Sequence, residues 1–252
     1  MPNEMISIPA PDGAADAYVT RPDEQSGDLP GVLFIVDALG LRPQTKKMAD
    51  RIASWGYVVV APNVFYRGGG AADLEPEGDL TDPDVRTAVI TKVRPLMAQL
   101  DDPDVAAADL STYIDALHAQ DGVTAGPIGV TGYCMGGRLA LLAAETRPDD
   151  VAAVGMFHTG GLVTDDSGSP HLRVGDVTAD ILAIHADNDR SLPPEAVATF
   201  EAALTTAGVT HSASVYPDAA HGYTMADTGM YHPEAAEHHF DELQKLFART
   251  LH

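Results

Sequence analysis

Cysteine and tryptophan each occur once in the 252 residues, and cationic side chains are scarce, 15 Lys and Arg standing against 37 Asp and Glu. One cysteine excludes an internal disulfide and any cysteine-rich zinc site, and it suits a reducing compartment. A formal charge of −22 argues against nucleic acid and anionic membrane surfaces as partners, since both select for clustered positive charge. No apolar run approaches the roughly 20 residues of a membrane-spanning helix. The opening residues MPNEMISIPAPDG lack the basic end and apolar centre of a secretory signal. The expectation is a cytoplasmic protein that acts on a small molecule, with no nucleic-acid or membrane partner, as a monomer or weak homo-oligomer.

What is present is the alternation of an α/β domain. Short apolar runs at Val32–Val36, Tyr57–Ala61, Ile128–Thr131, Val151–Met156, Ile181–His185 and Ala213–Tyr216 read as strands buried on both faces. Helical patterns fall between them at Thr45–Trp55, Pro103–Ala119, Gly136–Thr146 and Pro194–Ala207, with a last helix from near Pro233. The first ends at Gly56 and the fourth at Gly208, plausible glycine stops. Glu4–Ile8 and Ala15–Thr20 flank Asp12-Gly13 and read as an antiparallel hairpin at the sheet edge. This order predicts one domain over 1–252, a mostly parallel doubly wound sheet flanked by helices on both faces. Two long irregular segments, 63–84 and 158–177, are expected as rims or lids of a site.

The lone cysteine sits in Gly132-Tyr133-Cys134-Met135-Gly136, between a strand and an amphipathic helix. A lone cysteine is usually a small buried hydrophobe. This context is instead that of the G-x-S-x-G nucleophile elbow with sulfur in place of oxygen. A side chain two residues to either side would strike the neighbouring elements, hence the glycines. The turn lifts the sulfur out of the sheet and aims a helix N-terminus at it, which favours thiolate. The free N–H of Met135 then faces the place where a carbonyl oxygen would become an oxyanion, a donor worth about 3 kcal/mol in the transition state.

On this elbow the chain order is nucleophile, acid, histidine. Asp187 and Asp189 follow the Ile181–His185 strand and are both candidates for the acid. His221, between small residues in Ala219-Ala220-His221-Gly222, is the candidate base. His238 and His239 are adjacent on the last helix and point apart, so with His232 they complete no ligand set; they read as polar faces of that helix, and no metal is expected. Arg138, one turn past Cys134, is expected to pair with an acid behind the elbow. Trp55 and the methionines read as packing.

Together these residues resemble the dienelactone hydrolases, α/β-hydrolases with a cysteine elbow, along nearly the whole chain. Gly-Tyr-Cys-Met-Gly-Gly at 132–137 is similar to the family's nucleophile motif, Asp189 in Asp-Arg-Ser-Leu-Pro to its acid, and His221 in Ala-Ala-His-Gly-Tyr to its base. The resemblance therefore favours Asp189 over Asp187. It implies that Asp37, where the best-known members carry Glu, competes for the thiol proton, and that the Ala38 N–H is the second oxyanion donor. Members that cleave dienelactone grip its carboxylate with arginines, one of them four residues past the histidine. Here that position is Met225; Arg67, Arg86 and Arg94, in or after the first long loop, are the other candidates to bind an anion. The implied activity is hydrolysis of an ester or lactone through a Cys134–His221–Asp189 triad and a thioester acyl-enzyme, without cofactor or metal. The alternatives are a broad carboxylesterase or thioesterase with no lactone preference, and a non-catalytic ligand-binding protein on the same fold.

Overall fold

The computed structural model describes residues 1–23 and 27–252. Its strands are β1 (Asn3–Ala10), β2 (Gly13–Thr20), β3 (Gly31–Ile35), β4 (Val58–Pro62), β5 (Ile128–Tyr133), β6 (Val151–Phe157), β7 (Asp180–Asn188) and β8 (His211–Ala220). Its helices are α1 (Pro43–Ala53), α2 (Ala71–Leu74), α3 (Pro83–Gln99), α4 (Pro103–His118), α5 (Met135–Thr146), α6 (Pro194–Ala207) and α7 (Pro233–Thr250). The strands form one sheet in the order β1-β2-β4-β3-β5-β6-β7-β8.

From β4 to β8 the sheet is parallel, and β1 and β2 add antiparallel pairs. The hairpin therefore forms as expected, but of its two strands β1 alone is an edge; β2 is covered on its far side by β4. Every residue of β3, β4 and β5 is buried, which is why these strands appear in the sequence as unbroken apolar runs. Helices cover both faces. A side chain at Gly31 of β3 would press on Leu117 of α4, and one at Gly129 of β5 on Phe247 of α7. α1 and α7 lie side by side, joined by the Arg51–Glu237 ion pair and by Trp55 packed edge-on against Phe240.

The helix boundaries follow local chemistry. Pro43 starts α1 two residues before the apolar pattern begins, since proline suits the first helical turn. Gly208 closes α6 at φ 74°, a left-handed stop that glycine adopts without a Cβ penalty. Helix α3 is absent from the sequence reading for a physical reason. Val93 is its one buried residue, so it carries no apolar stripe to announce it.

Candidate active site

Five neighbouring parallel strands end on the same edge of the sheet, and each delivers a polar side chain there. Asp37 follows β3 by two residues. Cys134, His158, Asp189 and His221 are the residues next after β5, β6, β7 and β8. The carboxyl edge of a parallel sheet is where sites of open α/β folds gather. Asp37, Cys134, His158 and His221 line a cleft of about 430 Å³, closed on its far side by Arg86, Ile90 and Arg94 of α3 and by Met225 and Met230 of the loop after β8.

Cys134 stands at φ 56°, ψ −122°, a conformation that costs an L-residue on the order of 1–3 kcal/mol. The glycines around it make the turn possible. A Cβ at Gly132 would overlap the Gly136 carbonyl, and one at Gly136 would overlap the carbonyl of Val36, just past the end of β3. At Gly137 it would overlap Thr159 Oγ1. Gly136→Ala should therefore destabilise the fold toward the upper end of the roughly 1–3 kcal/mol seen for overpacking, because backbone cannot step aside. Gly126→Ala, where a Cβ meets nothing within 4 Å, should change stability by less than about 1 kcal/mol. Urea unfolding of the two variants compares them directly.

The sulfur of Cys134 is 3.0 Å from His221 Nε2, and His221 Nδ1 is 2.7 Å from Asp189 Oδ2. The other oxygen of Asp189 accepts from the Ser191 N–H at 2.8 Å and its hydroxyl at 2.5 Å. Burial alone would push the His221 imidazole down. The hydrogen bonds to Asp189 and Cys134, and their charges, overcome this and hold it at about 10. Asp189 is lowered, its partial burial outweighed by His221 and Ser191.

The sequence model of the dienelactone hydrolase family matches residues 15–251. The chain belongs to the dienelactone hydrolase family. It is a hydrolase of that family with the α/β-hydrolase fold. A carboxymethylenebutenolidase of Rhodococcus opacus is 29% identical over 232 residues, covering 91% of this chain and 84% of its own. A relative from Escherichia coli (strain K12), provisionally given the same name, is 30% identical over 245 residues, covering 96% and 84%. The crystal structure of a provisionally named dienelactone hydrolase from Klebsiella pneumoniae subsp. pneumoniae MGH 78578 is 26% identical, covers 98% of both chains and superposes with a TM-score of 0.82.

Measured against the family pattern, the structure brings Cys134, Asp189 and His221 together. Asp187 is exposed, and among the described residues it accepts only from the Asp218 N–H, at 3.4 Å. Met135 opens α5, a position whose N–H has no acceptor within the helix, and Ala38 lines the cleft. Asp37 also lines it, but its carboxylate is held by Arg42 at 2.6 and 3.1 Å. Among the described residues, the sulfur's hydrogen-bond partner is His221, not Asp37. Met225, four residues past His221, lies in the cleft wall. Arg67 is bound to Asp109 and Asp12, away from the site, whereas Arg86 and Arg94 reach it. Arg138 pairs with Asp101 at 2.8 Å, as expected. Of the two long segments, 63–84 gives the cleft Pro83 and 158–177 gives it only His158.

One expectation for the histidines fails. His239 is not on a polar face; it is fully buried beside Tyr133 and Phe157. Burial lowers it to about 3, so it is neutral. The helical pattern around it places it on the same side as Phe240 and Leu243, which a count of polar residues overlooks. His238 does lie outward, against Tyr216, and His232 caps α7 through its ring.

His158 and Ser191 are site residues that the sequence reading misses. His158 is buried at φ 40°, stacks edge-on against His221 at 5.2 Å, and bonds Thr224 Oγ1 at 2.8 Å. Burial, with His221 and His239 nearby, pushes its pKa well down. Its position immediately after a parallel strand was the available signal. Ser191 braces Asp189, and the Asp-x-Ser spacing of a side-chain-bonded turn marked it.

Proposed function

We propose that the chain hydrolyses an ester or lactone bearing an anionic group, by transfer of its acyl group to Cys134 and then to water. The observation that carries this reading is the unbroken contact from Cys134 Sγ through His221 to Asp189, at an elbow whose backbone is strained to expose the sulfur. The thiolate attacks the carbonyl carbon and the carbon–oxygen π pair moves onto oxygen. The N–H groups of Met135 and Ala38 receive that oxyanion. As it collapses, the bond to the leaving alkoxide breaks, and His221 Nε2 delivers the proton that makes it an alcohol. Water, deprotonated by the now neutral His221, then attacks the thioester and expels the sulfur. Asp189 keeps the Nδ1 proton in place throughout. Iodoacetamide should alkylate Cys134 and abolish hydrolysis; an alkylated enzyme with its activity intact would contradict this reading.

The substrate class follows from charge. In a chain of net charge −22, arginines find carboxylates easily. Among the described residues Arg86 and Arg94 pair with none, though both line the cleft. Arg86 is fixed by the Leu80 and Thr81 carbonyls at 2.9 and 3.0 Å, and Arg94 is exposed at the rim. Leu39, Ile90, Met225 and Met230 supply an apolar wall. With Met225 unable to pair a carboxylate, this wall favours a broader ester over dienelactone itself. Arg94→Gln should raise KM for an aryl ester with a carboxylate tail by roughly tenfold, the scale of one charge-assisted hydrogen bond, and change KM for a neutral aryl acetate by less than about twofold. Equal effects on both esters would remove Arg94 from recognition.

A further inference from the structure

The mechanism leaves one group unused. Arg42 is buried, and all five of its N–H donors are engaged. Nη1 donates to Asp37 Oδ1 at 2.6 Å and to the Gly40 carbonyl at 3.2 Å; Nη2 donates to Asp37 Oδ2 at 3.1 Å and Asp227 Oδ1 at 3.2 Å; Nε donates to Asp227 Oδ2 at 2.7 Å. One guanidinium thus forks onto two carboxylates, an arrangement that lysine cannot reproduce. Asp37 Oδ1 also accepts from the Leu39 N–H at 3.1 Å. The carboxylate is consequently tied beneath the loop that carries Ala38, and through Asp227 that loop is tied to the segment following His221.

An unpaired carboxylate in this cleft, which Cys134 also lines, would oppose thiolate formation by like-charge repulsion and offer the thiol a second acceptor. We propose that Arg42 is a positioning residue that occupies Asp37, so that Cys134 stands paired with His221 before substrate arrives. On the reading that Cys134 is the nucleophile, this chain is poised at rest and needs no substrate group to release its sulfur. Arg42 touches no reacting atom; it acts through Asp37.

Cys134 is the only cysteine, so iodoacetamide reports on it alone. Near neutral pH and without substrate, Asp37→Asn should alter the alkylation rate by less than about threefold, because that carboxylate takes no part in holding the sulfur. Arg42→Met releases Asp37 and should slow alkylation by about tenfold, since thiolate is the reactive form. The double variant Asp37→Asn, Arg42→Met should recover the wild-type rate to within about threefold. A purely structural Arg42 would leave the double variant as slow as Arg42→Met. The proposal is overturned if Asp37→Asn alone speeds alkylation by more than about threefold, if Arg42→Met is as fast as wild type, or if the double variant is not rescued. Should Arg42→Met fail to fold, the Asp37→Asn rate decides. Failure of the nucleophile reading shows separately, as ester hydrolysis that survives alkylation.

Discussion

Cys134→Ala is expected to lower kcat by roughly 10⁴–10⁶, the range lost when a nucleophile is removed from a triad, with the fold intact. Alanine keeps a Cβ at φ 56°, so the backbone strain is unchanged. The side chain is only partly buried, so deleting the sulfur should cost less than about 1.5 kcal/mol. Activity and stability are thereby separated at one atom. Cys134→Gly sharpens the comparison. It removes the Cβ that makes this conformation costly and should unfold at a higher urea concentration than Cys134→Ala, by about 1 kcal/mol, while remaining equally inactive. Urea titrations with steady-state kinetics on both variants check the pair. Wild-type turnover by either would exclude the sulfur from the chemistry.

Asp189→Asn carries the second large effect. The carboxylate accepts the Nδ1 proton of His221 at 2.7 Å, whereas an amide presents its NH₂ to the same nitrogen and selects the wrong tautomer. In serine triads this change costs about 10⁴ in kcat. Here the Ser191 hydroxyl lies 3.2 Å from Nδ1 and offers a weaker acceptor, so a loss of about 10³ is expected, with Asp189→Ala, which leaves Ser191 unobstructed, losing less. The pH dependence moves with it. The wild-type imidazole holds its proton up to about 10, and hydrolysis should fall as pH rises through that value, because the acid that protonates the leaving alcohol is lost. Without Asp189 the burial that opposes the proton is left to act, so the falling limb should shift to lower pH. The His221 titration followed by NMR, beside the pH profile of kcat/KM, reads both. An unshifted limb would mean that Asp189 does not set the base.

Much of this was legible in the chain. Central strands such as β3 and β4 are apolar because both faces are covered, and that composition survives in the sequence. The elbow was legible because backbone collisions at Gly132 and Gly136 leave no alternative residue. What was not legible depends on contacts between distant segments. Helix α3 turns one face to the cleft instead of the core, so nothing in the chain separates Arg86 and Arg94, which line the cleft, from Arg67, which does not. Arg42 and Asp227 are 185 positions apart, and no spacing rule joins them. Asp37 was placed correctly after β3, but its partner was not, because which neighbour captures a carboxylate is settled only in the packed structure. His239 shows the same limit, a polar residue drawn into the core by its apolar neighbours on α7.

The covalent step can be observed directly. Acid quenching during turnover of an activated aryl ester, followed by intact mass and peptide mapping, should find one acyl group on the peptide containing Cys134. The adduct should accumulate further in His221→Ala, which lacks the base for deacylation, and be absent from Cys134→Ala. Steady hydrolysis with no adduct at Cys134, or an adduct that persists in Cys134→Ala, would contradict the thioester mechanism.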